Sequence, residues 1–278
     1  MSAAAGPAEV PLEQRRIFAM GGGGFTMEPT NPLLDDFVLS LATATQPRVL
    51  FLPTASGDTT AQINAFRARF ADRWCVPEHL SLFRLGDAQR PLRDVVLEQD
   101  VIYVGGGSMR NLLAIWRAHG LDELLVAAWR AGTVLAGLSA GAMCWFEAGI
   151  TSSSGAPAPL TGLGLLEGSL TVHADGEPER LPVWLAAVRD GTLPGGWALD
   201  DGVGLLFAGL DMQRAVSSRP GAGAQRVDQV AGELVRKRLE PELLGGGEAP
   251  PALGGIDEAV QELRRVHRMR RGFGERSG

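Results

Sequence analysis

Short apolar runs alternate along most of the chain with longer stretches of helical period, the pattern of an α/β protein built on a mostly parallel sheet with helices on both faces. The runs at residues 16–20, 49–52, 101–104, 133–138, 169–173 and 204–207 are the expected strands. The helical stretches are 33–44, 60–70, 109–117, 121–131 and 179–188. Several of the strands end in glycine or small polar residues: Gly21 to Gly24, Pro53 to Asp58, Gly105 to Ser108, and the turn around Ser139. Sites in open α/β sheets form beyond the carboxyl ends of the strands, so these loops are expected to meet on one rim. Residues 225–239 alternate with a basic edge and predict an antiparallel strand pair closing the sheet. Residues 245–255 are rich in Gly and Pro and predict a linker, and 256–269 a charged amphipathic helix. Its apolar positions suit docking on the body or on a second copy, which would make a homodimer. No internal repeat divides the chain, and the expectation is a single domain over 1–278.

The chain has 278 residues and two cysteines, Cys75 and Cys144, with no CxxC spacing. Neither a disulfide framework nor a metal site is indicated, and a reducing cytoplasm is the expected location. The first sixteen residues lack a basic segment followed by an apolar core, and no run of about eighteen apolar residues occurs, so no membrane partner is expected. The net charge is −6. The arginines at 264, 265, 268, 270 and 271 therefore predict a solvated helix face or tail rather than a nucleic-acid surface. No GxxxxGK[ST] loop exists and no glycine cluster has the full dinucleotide-binding spacing, so no cofactor is expected.

The most informative segment is Gly-Leu-Ser-Ala-Gly-Ala at 137–142. It follows an apolar strand and can open a helix over 140–146, which puts Ser139 on a sharp strand-to-helix turn, a nucleophile elbow. The glycines permit the tight turn, and the helix start aims N–H groups at charge developing beside the serine. A serine hydroxyl needs a base. Of the four histidines, His79, His119 and His267 sit in surface or cap contexts, whereas His173 ends a predicted strand on the expected rim and precedes the acidic turn Ala174 to Glu177. The base in turn needs a carboxylate. Glu147 is a lone acid in the apolar context Cys-Trp-Phe-Glu and is favoured over Asp175, provided that the elbow helix stops near Trp145. The expected oxyanion donors are the N–H groups of Ala140, which follows the serine, and Gly107. Cys144, the competing nucleophile, falls inside the predicted helix and reads as a core thiol.

The chain resembles peptidase family S51, the aspartyl dipeptidase (peptidase E) family with cyanophycinase relatives. The resemblance rests on FAMGGGGF at 18–25, FLPTASGD at 51–58, YVGGGSMRNLL at 103–113, GLSAGAMCWFEAGIT at 137–151, GLGLLEGSLTVHADGEPER at 162–180 and DDGVGLLF at 200–207. It implies a class I glutamine-amidotransferase-like sandwich and a serine peptidase acting on dipeptides with N-terminal aspartate. The family's serine and histidine correspond to Ser139 and His173, and its oxyanion donors to Gly107 and Ala140. Its arginine for the aspartate side chain falls near Arg180. The acid of well-known members is expected after the elbow helix, where this chain has Thr151-Ser152-Ser153-Ser154, so the resemblance implies a different acid here, with Glu147 nearest. Two other readings remain open: a peptidase for isoaspartyl or cyanophycin-type peptides, and a non-catalytic binding protein for small molecules.

Overall fold

The structure, a computed structural model, describes residues 7–87 and 90–245. The helix expected over 256–269, and the linker apart from Gly245, lie outside these residues. In chain order the elements are β1 (Arg16–Met20), α1 (Gly24–Met27), α2 (Leu33–Ser40), β2 (Arg48–Leu52), α3 (Thr60–Phe70), β3 (Val76–His79), α4 (Leu92–Leu97), β4 (Val101–Val104), α5 (Met109–His119), α6 (Leu121–Arg130), β5 (Val134–Leu138) and α7 (Ala140–Met143). There follow β6 (Phe146–Thr151), β7 (Ala158–Thr161), β8 (Leu166–Thr171), α8 (Arg180–Arg189), β9 (Gly196–Leu199), β10 (Val203–Ala208), β11 (Asp211–Ser217), β12 (Ala224–Val230), β13 (Glu233–Leu239) and β14 (Glu242–Leu243).

The strands form two sheets, ordered β14-β11-β10-β1-β5-β4-β2-β3 and β13-β12-β9-β8-β6-β7. The α/β class holds, but the expectation of a mostly parallel sheet does not. The block β1-β5-β4-β2-β3 is parallel, as are β6-β8-β9. Antiparallel pairs flank both blocks: β10 on β1 and β11 on β10 in the first sheet, β7 on β6 and β12 on β9 in the second. The alternating segment at 225–239 does form an antiparallel pair, β12 with β13, on the second sheet.

One face of the first sheet is covered by α1, α2 and α3 through an aromatic cluster in which Phe25 meets Phe51, Phe66, Phe70 and Tyr103 edge-on. Such edge-to-face pairs add to the burial of large apolar area. The opposite face forms a continuous core with α5, α6, α7 and the second sheet, centred on Trp116, Trp145 and Phe146. The strand runs buried on both faces, VLFL and VIYV, are those where apolar residues are unbroken by polar ones. The outer face of the second sheet is closed by α8 through Trp184 and Val188.

A buried ion pair anchors the segment after β1. Arg69 Nε lies 2.9 Å from Asp35 Oδ2, and both side chains are almost inaccessible. The Tyr103 hydroxyl donates to Asp35 at 3.0 Å, and an Arg69 terminal nitrogen donates to the carbonyls of Glu28, Pro29 and Asn31 at 2.8, 2.9 and 3.2 Å. The pair thus fixes residues 28–31 beside Thr26 and Met27, which line the cleft described below. Desolvation pushes the Asp35 carboxyl up to about 7, against the opposing pull of Arg69. An acid whose folded-state value is raised binds more protons in the folded than in the unfolded state over the interval between the two values. Its contribution is therefore complete below about pH 4 and is lost as pH rises toward 7. Urea midpoints measured from pH 4 to 8 should show the wild type losing ground to Asp35→Asn as pH increases. The opposite slope would mean that Arg69 holds Asp35 below its ordinary value.

Candidate active site

Ser139 leaves β5 at φ 53° and ψ −115° and caps the one-turn helix α7. A non-glycine residue with positive φ is strained by about 1–3 kcal/mol and persists only where its surroundings enforce it. Here the Ser139 N–H donates to Met20 O at 3.0 Å, while its carbonyl accepts from the Ala142 and Met143 N–H groups, each at 3.0 Å. The glycines two residues either side have no room for a side chain. A Cβ on Gly137 would lie 2.1 Å from Gly141 O, and one on Gly141 2.4 Å from Val104 O. The helix ends sooner than the 140–146 expected, because Phe146 already belongs to β6.

His173 does not end a strand. It lies two residues beyond β8 at φ 55°, and this turn of the backbone brings the ring to Ser139. Its Nε2 is 2.9 Å from Ser139 Oγ, and Nδ1 is hydrogen-bonded to Asp201 Oδ1. With Nδ1–H donating its hydrogen bond to the carboxylate, the neutral ring keeps Nε2 as acceptor for the serine hydroxyl. The ring is buried, at 4% exposure. Asp201 precedes β10, in the segment by which the chain crosses from β9 of the second sheet to β10 of the first. Between the strands of Ser139 and Asp201 runs β1, and Gly22 beyond its end makes the space for their contact. A Cβ on Gly22 would lie 2.1 Å from Asp201 Oδ1 and 2.9 Å from His173 Cε1. The four glycines at 21–24 thus include the floor beneath the His–Asp pair.

The acid expected from sequence is elsewhere. Glu147 is exposed on β6, and its Oε2 accepts from Gly168 N–H at 2.9 Å. The β6–β8 register jumps here, with Phe146 opposite Leu166 and Ala148 opposite Ser169, so β8 carries an extra residue and Glu147 takes an N–H that the bulge leaves unpaired. Asp175, the alternative, accepts the backbone N–H of Asp201 at 2.9 Å, so it supports the residue that reaches His173. Asp201 was open to discovery in Asp200-Asp201-Gly202, a turn-forming acidic pair directly before an apolar strand. Of the two acids, Asp200 turns away to accept Gly223 N–H at 2.8 Å. Cys144 is wholly buried, with a thiol that burial holds well above its ordinary range, as expected of a core residue.

Ser139 and His173 open on a cleft of about 550 Å³. Gly107 forms part of its wall at φ 140°, where a Cβ would lie 2.2 Å from Ala55 O. Ala140 is the first residue of α7, so its N–H has no partner within the helix. Arg180, the first residue of α8, also lines the cleft, 93% of its side chain withdrawn from solvent given a 7% exposure, and paired with Glu177 at 2.7 Å. Glu179, Thr151, Ser152 and Ser153 belong to the same lining. The cluster comprises a hydroxyl, an imidazole and a carboxylate in hydrogen-bonded series, the chemistry of proton-assisted nucleophilic attack. Among the described residues no group of His, Cys, Asp and Glu side chains is placed to hold a metal ion, and no helix is long and apolar enough to cross a membrane.

The comparisons with known proteins agree on a peptidase. The chain is 47% identical over 231 residues to the uncharacterized peptidase YgaJ of Bacillus subtilis (strain 168), a match that covers 83% of this chain and 100% of that protein. Its fold is similar to the crystal structure of a peptidase from an acI-B1 Actinobacterium, with a TM-score of 0.63 at 20% identity over 81% of this chain and 94% of the other. The model of peptidase family S51 matches residues 17–215, a span that holds Ser139, His173 and Asp201. The chain belongs to peptidase family S51.

Proposed function

We propose that this peptidase is a serine exopeptidase that hydrolyses short peptides with N-terminal aspartate, Asp-Xaa dipeptides foremost, through an acyl-enzyme. The observation that carries the reading is the hydrogen-bonded series Ser139–His173–Asp201, whose serine and histidine line an open cleft. Ser139 Oγ attacks the peptide carbonyl as His173 Nε2 takes its proton, and the imidazolium returns that proton to the leaving amine. Asp201 holds the ring and balances its charge. The N–H groups of Gly107 and Ala140 receive the oxyanion. Water, activated by the same imidazole, then releases the acyl group. A volume near 550 Å³ suits a peptide of a few residues better than an extended chain. Arg180 supplies a cation for the aspartate carboxylate. The class I glutamine-amidotransferase-type sandwich and the cytoplasmic location belong to this same reading.

A second substrate reading has its own support. A β-linked aspartyl peptide carries its α-amino and α-carboxylate groups on one carbon, and Arg180 lies one residue from Glu179 on the cleft wall. Parallel hydrolysis of α- and β-linked aspartyl dipeptides, with Glu-, Ala- and Leu-linked controls, separates the two. A protein that merely binds small molecules would turn over none of them.

Four substitutions test the assignments. Ser139→Ala should abolish turnover and leave the fold intact, since the elbow accepts a smaller side chain. Asp201→Asn should lower kcat by about 10⁴ with little change in KM, the cost of losing a triad acid. Glu147→Gln, which touches only the bulge on β8, should retain kcat within about twofold while Tm falls slightly, as for loss of one charged hydrogen bond. A reversed ranking of Asp201→Asn and Glu147→Gln would remove Asp201 from the mechanism. Arg180→Ala should raise KM for Asp-linked substrates and narrow the preference for Asp over Ala. An equal fall in kcat/KM for both would assign specificity elsewhere.

A further inference from the structure

The carboxylate of Asp201 can serve His173 only if the peptide that carries it is fixed. This peptide belongs to no strand, and it adjoins Gly202 at φ 80°. It is nevertheless gripped at both polar groups. Its N–H donates to Asp175 Oδ1 at 2.9 Å, and its carbonyl accepts from Arg219 Nε at 3.1 Å. Arg219 also faces two carboxylates: Nε lies 3.3 Å from Glu28 Oε1, and a terminal nitrogen 3.5 Å from Asp175 Oδ2. Glu28 is itself held by the Ser218 hydroxyl at 2.7 Å and the Asn31 amide at 3.1 Å. Gly202 leaves room for the guanidinium, because a Cβ there would lie 2.7 Å from Arg219 Nε.

We infer that Arg219 and Asp175 are positioning residues for Asp201, acting together as a clamp on its peptide. The inference rests on the serine-peptidase reading above. A guanidinium holds its N–H groups in a rigid plane, so Arg219 can donate Nε–H to the Asp201 carbonyl while its charge lies beside the carboxylates of Glu28 and Asp175, an arrangement that the mobile point charge of lysine does not reproduce. Arg219 is 39% exposed and Asp175 41%, and ion pairs so open to water add little to stability. Their value lies in geometry. A misplacement of about 1 Å in a catalytic group can cost about a hundredfold in rate, with no comparable change in folding.

The test uses the full-length protein with Arg219→Gln, Asp175→Asn, their combination, and Arg219→Lys. Four quantities are read: kcat and KM on the best aspartyl dipeptide, Tm, and the rate at which a small fluorophosphonate labels Ser139, which does not depend on peptide specificity. Each single variant should lose about ten- to hundredfold in kcat and in labelling rate, with KM within about twofold and Tm within a few degrees. The double variant should be no slower than the worse single one, because both hold the backbone of the same residue. Arg219→Lys should restore only part of the rate. Labelling at the wild-type rate in both single variants, additive losses in the double, or losses that follow Tm would overturn the clamp while leaving the serine assignment in place. Wild-type protein that does not label at Ser139 would overturn the serine reading and the clamp with it.

Discussion

The site depends on a strand end that carries no side chain. Ser139 leaves β5 and Asp201 enters β10, and the two strands are not neighbours, because β1 lies between them. A histidine ring joining them must pass over the end of β1, and any Cβ at Gly22 would occupy the space of the Asp201 carboxylate and the His173 ring. The same strand end secures its neighbours through the backbone: Met20 O receives the Ser139 N–H, and Gly22 O receives the Gly202 N–H. One glycine-rich turn thus sets the separation of the two groups and binds both to a single reference. This also gives the 21–24 cluster a role unrelated to phosphate binding.

The third member comes from the other sheet. His173 follows β8, and α7 lies between the two sheets, touching β1 and β5 on one side and β6 and β8 on the other. The core around Trp145 and Phe146 therefore determines how far the histidine sits from the serine. Close-packed interiors resist small displacements, so the 2.9 Å contact is set by packing as much as by its own hydrogen bond. The strained backbone at Ser139 and at His173, both with positive φ, is sustained by the same packing.

What could be read from sequence was what local rules govern. A serine flanked by glycines after an apolar run predicts its own turn, and β1, α3 and β4 have the bounds that their apolar runs indicate. The place of Gly107 on the cleft lining agrees with its position in a glycine turn at a strand end. Asp201 was not legible in this way, because it depends on strand direction. In a parallel sheet only the residues after a strand reach the active rim, and nothing in the run at 204–207 marks it as an exception. β10 runs antiparallel to β1, so the residues before it arrive at that rim. Whether a lone apolar run enters a sheet parallel or antiparallel is decided by tertiary pairing, which its own residues do not encode. Glu147 stands out in the sequence because a carboxylate in apolar company ought to have a polar task. It has one, at the β8 bulge, but bulges arise from register between strands 20 residues apart, beyond the reach of a local pattern.

The pairing of Arg180 with Glu177 bears on how strict the proposed aspartate preference can be. Large discrimination arises where the wrong ligand strands a buried charge or polar group without a partner. An arginine withdrawn from solvent with no carboxylate of its own would impose that penalty on any substrate other than an acidic one. Arg180 instead has Glu177 at 2.7 Å, so a neutral side chain in the cleft leaves its charge compensated. The gain from an aspartate is then limited to what a second carboxylate adds beside the first, against the repulsion between the two. Under the proposed reading the site is therefore an aspartate-preferring one rather than an aspartate-exclusive one. Its selectivity would be sharpened by weakening Glu177 rather than by strengthening Arg180.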